Sequence, residues 1–402
     1  MQAAALPLSN LTSDTVLGGV NSPASNGPIE QVGSRQSTVL AWRAPRLRLL
    51  TNGLPIQGVV EAGVTSNNHY AADRFSAVMA IGADLSANAA YWASETNILA
   101  DVQFSLDGGA TFASLIQGLV DTVAIDVLTG TLRIEGRDLT AAMIENRTQE
   151  TFANRTSSEI ATILAQRHNL TPVVTPTTTP VGRYYQNEHD RIALNQFSRS
   201  MTEWDLLIFL AGQEDFDVFV SGTSLYFQPV SGSLTVPYTV TPNHLQDLRL
   251  ERSLTLARDI VVTVKSWNSR QQNAFTQTVR ASGRRGSGTN SAGQAASPQH
   301  YVFVRPNLTM NDALKLAQQK AAELTQHERV WEATMPGDLT LDPRNMIQLV
   351  GTATDFDQTY FIDVIDRHLS IDHGFIQHVR ARNTSPRVST TTPADVVGSV
   401  TG

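Results

Sequence analysis

The chain has 402 residues, 41% of them hydrophobic and only 17% charged, with a formal net charge of -7 and no cysteine. That length admits roughly two to four domains, and the charged share falls below the roughly 25% of an average soluble protein, with Thr, Ser, Asn, Gln and Ala filling the gap as in a β-rich particle component or adhesin. The mild acidity speaks against a dedicated DNA-binding protein, and the missing cysteine removes disulfides, thiolate metal sites and Cys nucleophiles.

Residues 1–37 read as a flexible N-terminal arm. Residues 1–34 hold two acids, Asp14 and Glu30, and no Lys or Arg, and Gly, Pro, Ser and Asn crowd the stretch from Gly18 to Ser34. So little apolar area does not offset the entropy of ordering such a segment alone; the alternative is an arm that orders against a neighbouring subunit. The start has no basic n-region and no long apolar h-region, so no signal peptide is expected. No run of about eighteen apolar residues occurs, so no membrane anchor is expected either.

Short strands joined by tight turns dominate residues 38–136. Arg46–Leu50, Phe75–Ile81, Val102–Leu106, Val123–Val127 and Thr131–Ile134 carry the strand signal. Asn52-Gly53, Asp107-Gly108-Gly109 and Thr129-Gly130 supply the turns. The pattern predicts a barrel or sandwich.

Helices enter after Gly136. Asp138 caps a short one through Ala141, Ala142 and Ile144. Thr156 with Glu159 three residues on forms a capping box ahead of Ile160, Ile163 and Leu164. Pro172, Pro176 and Pro180 make Thr171–Pro180 an extended connector. Thr202 with Asp205 starts a further helix over Glu203–Gly212, with Trp204, Leu207, Ile208 and Ala211 inward, and Phe216–Val220 and Leu225–Pro229 pair around Ser221-Gly222-Thr223. Residues 137–244 thus read as a small α+β domain with a connector.

Strand character returns over 245–381, with Leu245–Leu250, Asp259–Trp267, Ile347–Val350, Tyr360–Ile365 and Phe375–Arg380. A loop spans 281–299, and a helix over 309–327 is capped by Thr309 with Asp312. Ile365, Leu369 and Ile371 share one parity and Asp366, His368, Ser370 and Asp372 the other, one buried face and one wet face. Residues 382–402 read as a flexible tail.

Several constellations invite a chemical reading. Gly283–Thr289 lacks the Lys-Ser/Thr ending and the strand–helix context of a phosphate loop. Asp363, Asp366, His368, Asp372 and His373 are donors suited to Zn, Fe or Mn, yet show no HExxH or facial-triad spacing. Glu145, Glu150, Glu159 and Glu188 suggest a glycoside hydrolase, which needs two carboxyls placed across one cleft. No GxSxG elbow frames a serine. Trp92, Trp204, Trp267 and Trp331 read as core. No catalytic, cofactor-binding or metal residue is assigned.

Ile134-Glu135-Gly136-Arg137-Asp138-Leu139-Thr140 resembles the "GRDLT" junction of the phage late control D family, the tail baseplate hub proteins of contractile-tailed phages and related injection machines. The resemblance continues through Phe152, Thr156–Leu170, Tyr184–Asp190 (His189 in place of the usual Ser), Trp204–Leu210, Val264-Lys265-Ser266-Trp267-Asn268, Met346–Gly351 and Tyr360–Arg380, covering roughly residues 95–381.

The resemblance implies a mainly β fold with an α+β insertion: two barrel-like tube domains, at 38–136 and 245–381, plus the small mixed domain. In such a family three copies place six barrels around a pore that joins the hexameric tail tube to the trimeric spike. It implies no enzymatic activity and no cofactor. Its partners would be a homotrimer of the chain, tail tube or distal tail proteins, the spike, wedge or other baseplate proteins, and genomic DNA passing through the lumen. The setting would be the virion's tail baseplate, assembled in the host cytoplasm. The rival readings are a tail-associated peptidoglycan or glycan hydrolase, a carbohydrate-binding adhesin and a tail tube protein with one barrel per chain.

Overall fold

The computed structural model describes residues 43–82, 88–147, 152, 155–178, 180–181, 202–230, 237–254, 260–268, 273–281, 298–305, 308–384 and 388–390. The arm over 1–37, the Tyr184–Asp190 motif, Gly283–Thr289, nearly all of the 281–299 loop and residues 391–402 lie outside them.

Seven strands and a short helix come first. They are β1 (Arg46–Thr51), β2 (Leu54–Ile56), β3 (Val59–Asn67), β4 (Arg74–Ala80), α1 (Ala89–Ser94), β5 (Leu99–Ser105), β6 (Ala113–Asp126) and β7 (Thr131–Asp138). Asn52 and Gly53 both adopt positive φ between β1 and β2, as an Asn-Gly hairpin requires. Alternate residues point inward, among them Ala62 and Val64 of β3, Phe75, Ala77 and Met79 of β4, and Leu132 and Ile134 of β7, and they share one core with Trp92 of α1.

The insertion comprises α2 (Thr140–Glu145), β8 (Arg155–Thr156), α3 (Ser157–Arg167), β9 (Thr171–Val174), β10 (Pro180–Val181), α4 (Glu203–Glu214), β11 (Phe216–Ser221) and β12 (Ser224–Pro229). Both capping boxes form: Thr156 accepts from Glu159 N, Thr202 accepts from Asp205 N, and each acid reaches back to its cap's N–H. Asp138 belongs to β7, yet its carboxylate accepts from Thr140 N and Oγ1 at the start of α2. Part of the expected connector is β9, which pairs in parallel with β12 at the edge of a three-stranded sheet. Pro172 is tolerated there because an edge strand spares an N–H.

The remaining elements are β13 (Tyr238–Val240), β14 (Asp247–Arg252), β15 (Ile260–Asn268), β16 (Asn273–Ala281), β17 (Gln299–Val304), α5 (Met310–Thr325), β18 (Arg329–Pro336), β19 (Met346–Leu349), β20 (Thr359–Ser370), β21 (Gly374–Asn383) and β22 (Val388–Thr390). Four of them form a separate sheet in the order β17-β15-β16-β22. One face of it is covered by α5, whose Ala313, Ala317 and Ala321 lie on Ile260, Val262, Val264 and Val279. Small residues at that spacing let the helix approach the sheet closely.

The expected pair of barrels is not there. One 13-stranded sheet takes in strands from both strand-rich blocks, in the order β14-β18-β21-β20-β3-β4-β7-β6-β5-β1-β2, with β19 and β13 branching from β20, and among the described residues no sheet closes on itself. β20 pairs antiparallel with β3, Ser370 opposite Glu61 and Val364 opposite Asn67, so the blocks are joined edge to edge. Closure requires the first and last strands to bond at a fixed stagger. Alternation and turn residues report that strands exist, and carry no information about that distant pairing. The two ends of the path are guarded against further pairing. β14 carries Asp247, Arg249, Glu251 and Arg252, and β2 is three residues long and contains Pro55.

Candidate functional site

The residues singled out for chemistry are dispersed. Asp363 is buried at a β-bulge between Ile362 and Val364 and pairs with Arg382. The bulge shifts the parity of β20, which is why Asp363 points inward with Ile365. Asp366 accepts from Thr65 Oγ1 at 3.0 Å, His368 Nε2 lies 3.0 Å from Glu61 Oε1, and Asp372 and His373 form the exposed turn to β21. Among the described residues no three His, Asp or Glu converge on a metal site. Glu145 pairs with Arg137, Glu159 serves its cap, and Glu150 and Glu188 lie outside the described residues.

Trp92, Trp204 and Trp331 are buried. Trp267 is not: it is 52% exposed, because inward positions on β15 are even-numbered. Ile371 is likewise exposed, since β20 has ended and the chain is turning.

Two arrangements emerge from the fold. The first is the polar face of the 13-stranded sheet. Cross-strand register places Asp366, Thr65 and Arg74 in one row, and His368, Gly63, Ser76 and Glu135 in another. Several of its cations are already engaged. Arg137 bridges Asp121 at 2.6 Å and Glu145 at 2.5 Å, Arg380 meets Glu332 at 3.2 Å, and Arg133 lies 3.7 Å from Glu135. The two carboxylates hold Arg137 well above the ordinary arginine range. Cations neutralised in place release few counterions from a phosphate backbone and so grip it weakly.

The second is a narrow cleft where the β3–β4 turn, the insertion and the loop before β19 meet. Asn67, Tyr70, Asp73, Asp138, Trp204, Asp217, Phe219 and Arg344 line it. Trp204 Nε1 donates to Tyr70 O at 2.6 Å, and Arg344 stacks 3.6 Å over the Phe219 ring with its Nε 3.7 Å from Asp217. Asp73 accepts from Asn67 N and Nδ2, and Asp138 N donates to Asp73 O. Burial pushes the Asp73 carboxyl up to about 6. Burial, with the charge of Asp73 added, pushes Asp138 up to about 7. Burial likewise raises Asp217 and takes Tyr70 to about 12. Thr140 Oγ1 donates to Asp138 at 2.9 Å, and the contacts tie three segments of chain together. Sequence reasoning missed this cleft, whose residues come from positions 67 to 344.

No helix among the described residues is long and apolar enough to cross a membrane. No family model and no curated protein matches the sequence. Solved structures do match. A tail protein from Neisseria meningitidis MC58 superposes with a TM-score of 0.60 at 14% identity, over 85% of this chain and 97% of that one. The 43 kDa tail protein of prophage MuSo2 from Shewanella oneidensis gives 0.58 at 16% identity, over 85% and 99%. An Escherichia coli component of the type VI secretion system, itself structurally similar to the T4 bacteriophage tail proteins gp27 and gp5, gives 0.50 at 10% identity, over 84% and 76%. This chain shares its fold with these tail proteins.

Proposed function

We propose that the chain is a structural baseplate hub subunit, with no catalytic activity, that joins a hexameric tail tube to a trimeric spike and lines the channel through which DNA leaves. The observation that carries this reading is the polar face of the 13-stranded sheet: it runs across both strand-rich blocks, and its Arg137 and Arg380 are held by Asp121 and Glu332 of neighbouring strands. Such a surface tolerates a passing polyanion without trapping it. The fold shared with tail proteins supports the same reading. In this proposal three copies form the ring, tube, spike and baseplate proteins are its neighbours, and the virion's tail baseplate is its location. The chain divides at 1–37, 38–136, 137–244, 245–381 and 382–402, with the mixed segment decorating the ring.

Mass measurement of the purified chain followed by particle imaging tests it. Three-copy rings around a central hole are expected. A chain that stays monomeric alone and in the presence of a trimeric spike overturns it.

A further inference from the structure

The charge of this chain is unevenly distributed. Residues 260–311 hold six of its Lys and Arg and none of its 37 Asp and Glu, although the whole chain is at -7. The rest of the molecule is therefore strongly acidic.

That basic segment contains β15, β16 and β17 of the four-stranded sheet. α5 covers one face; the other carries Lys265 opposite Val304, Val261 between Arg280 and His300, and Trp267. Trp267 is 52% exposed, Val302 56% and Val304 71%. β17 is also an edge strand, and its sequence QHYVFV has neither an acid nor a proline. The ends of the large sheet are guarded by charge or by shortness, whereas among the described residues this edge is apolar and has no partner strand. Natural sheets keep such an edge only where something covers it.

We infer that the outer face and β17 edge of this sheet form the docking surface for a second copy of the chain. Charge complementarity selects the occupant: an acid-free basic face on an otherwise acidic molecule is complementary to its own remainder. Such a contact is head-to-tail, the kind that builds a ring when its rotation closes. The inference rests on the hub reading and deepens it by naming the contact that holds the copies together.

The test uses the full chain. Its mass is measured across a concentration series at 0.1 M and 1 M salt, where the screening length falls from about 10 Å to about 3 Å. Assembly should weaken at least about tenfold at the higher salt, a change of about 1.4 kcal/mol. Lys265→Glu with Arg280→Glu, both on the outer face, should abolish assembly at 0.1 M salt while the chain stays folded. Lys315→Glu, at an exposed position of α5, should assemble normally. Should the double variant fail to fold, the wild-type salt series and acrylamide quenching decide: quenching should fall on assembly in the wild type and not in Trp267→Phe.

A trimer that ignores both salt and the double reversal, with Trp267 still quenched, overturns this surface and leaves the hub reading standing. A chain monomeric under every condition overturns it as well. So does an unchanged oligomer in which the reversal abolishes only binding of a single-stranded oligonucleotide, which would make the face a nucleic-acid platform.

Discussion

Asp363 sits in the bulge where β20 changes register against β21, and Arg382 Nη1 lies 2.7 Å from its Oδ1. Asp363 is 2% exposed, with His69 at 3.8 Å and Arg380 at 4.0 Å. Removing the carboxylate would leave a largely buried guanidinium without its counter-charge, a loss of about 3–5 kcal/mol. Asp363→Ala should lower the urea midpoint accordingly, and Arg382→Met added to it should restore part of the loss. A single variant within about 1 kcal/mol of wild type would show that the pair carries little.

Gly136 opens the stretch on which the family resemblance rests, and packing explains why it is glycine. A Cβ there would lie inside contact distance of Leu119 O and the Phe75 ring. The residue stands opposite Phe75 on β4 and Val120 on β6. Gly136→Ala should cost about 1–3 kcal/mol by overpacking. The check is a thermal melt beside Gly130→Ala, where a Cβ meets nothing but the positive φ strains the turn. An unperturbed Gly136→Ala would refute the packing account.

The legible parts of the fold were those written in local chemistry. Thr156 with Glu159, Thr202 with Asp205 and Thr309 with Asp312 each mark a helix start that forms, and Asn52-Gly53 marks a hairpin. β3 was missed because its inward residues are Ala62, Val64 and Ser66, too small or polar to announce a buried face. Yet β3 is the strand that joins the blocks, so the error about closure followed from its silence. Trp267 reads as core because it lies within a strand signal, whereas parity against Val262 and Val264 places it outside. The cleft was illegible for a different reason: Asp73, Asp138, Trp204 and Arg344 meet only through long-range packing.

The cleft makes stability depend on pH. Both carboxyls hold their proton more tightly in the fold than in the unfolded chain, where an aspartate titrates near 3.8. Their contribution is whole below about pH 4 and is lost as pH rises through about 6 and about 7, the two titrating as a pair. His69 opposes this at lower pH, since burial holds its pKa below 6.5 and the fold loses stability as the ring charges. Between pH 6.5 and 8.5 the carboxyls dominate, so the melting temperature should fall across that window and fall less in Asp138→Asn. A melting temperature that climbs instead would contradict the buried-carboxyl account.

Trp204 ties the insertion to the large sheet through two interactions of different kind. Its indole is 3% exposed within the insertion's core, and Nε1 donates to Tyr70 O in the β3–β4 turn at 2.6 Å. Trp204→Phe keeps most of the apolar packing and leaves the carbonyl short of a donor, for a loss of about 1–3 kcal/mol. Trp204→Ala adds a cavity and should cost about 3–5 kcal/mol. Hydrogen exchange separates the two effects. In Trp204→Phe the amides of the β3–β4 turn should exchange faster while those of α3 stay protected; in Trp204→Ala both should quicken. If the turn in Trp204→Phe exchanges at the wild-type rate, the bond to Tyr70 is not what anchors the insertion, and the stacking of Arg344 on Phe219 must hold it instead.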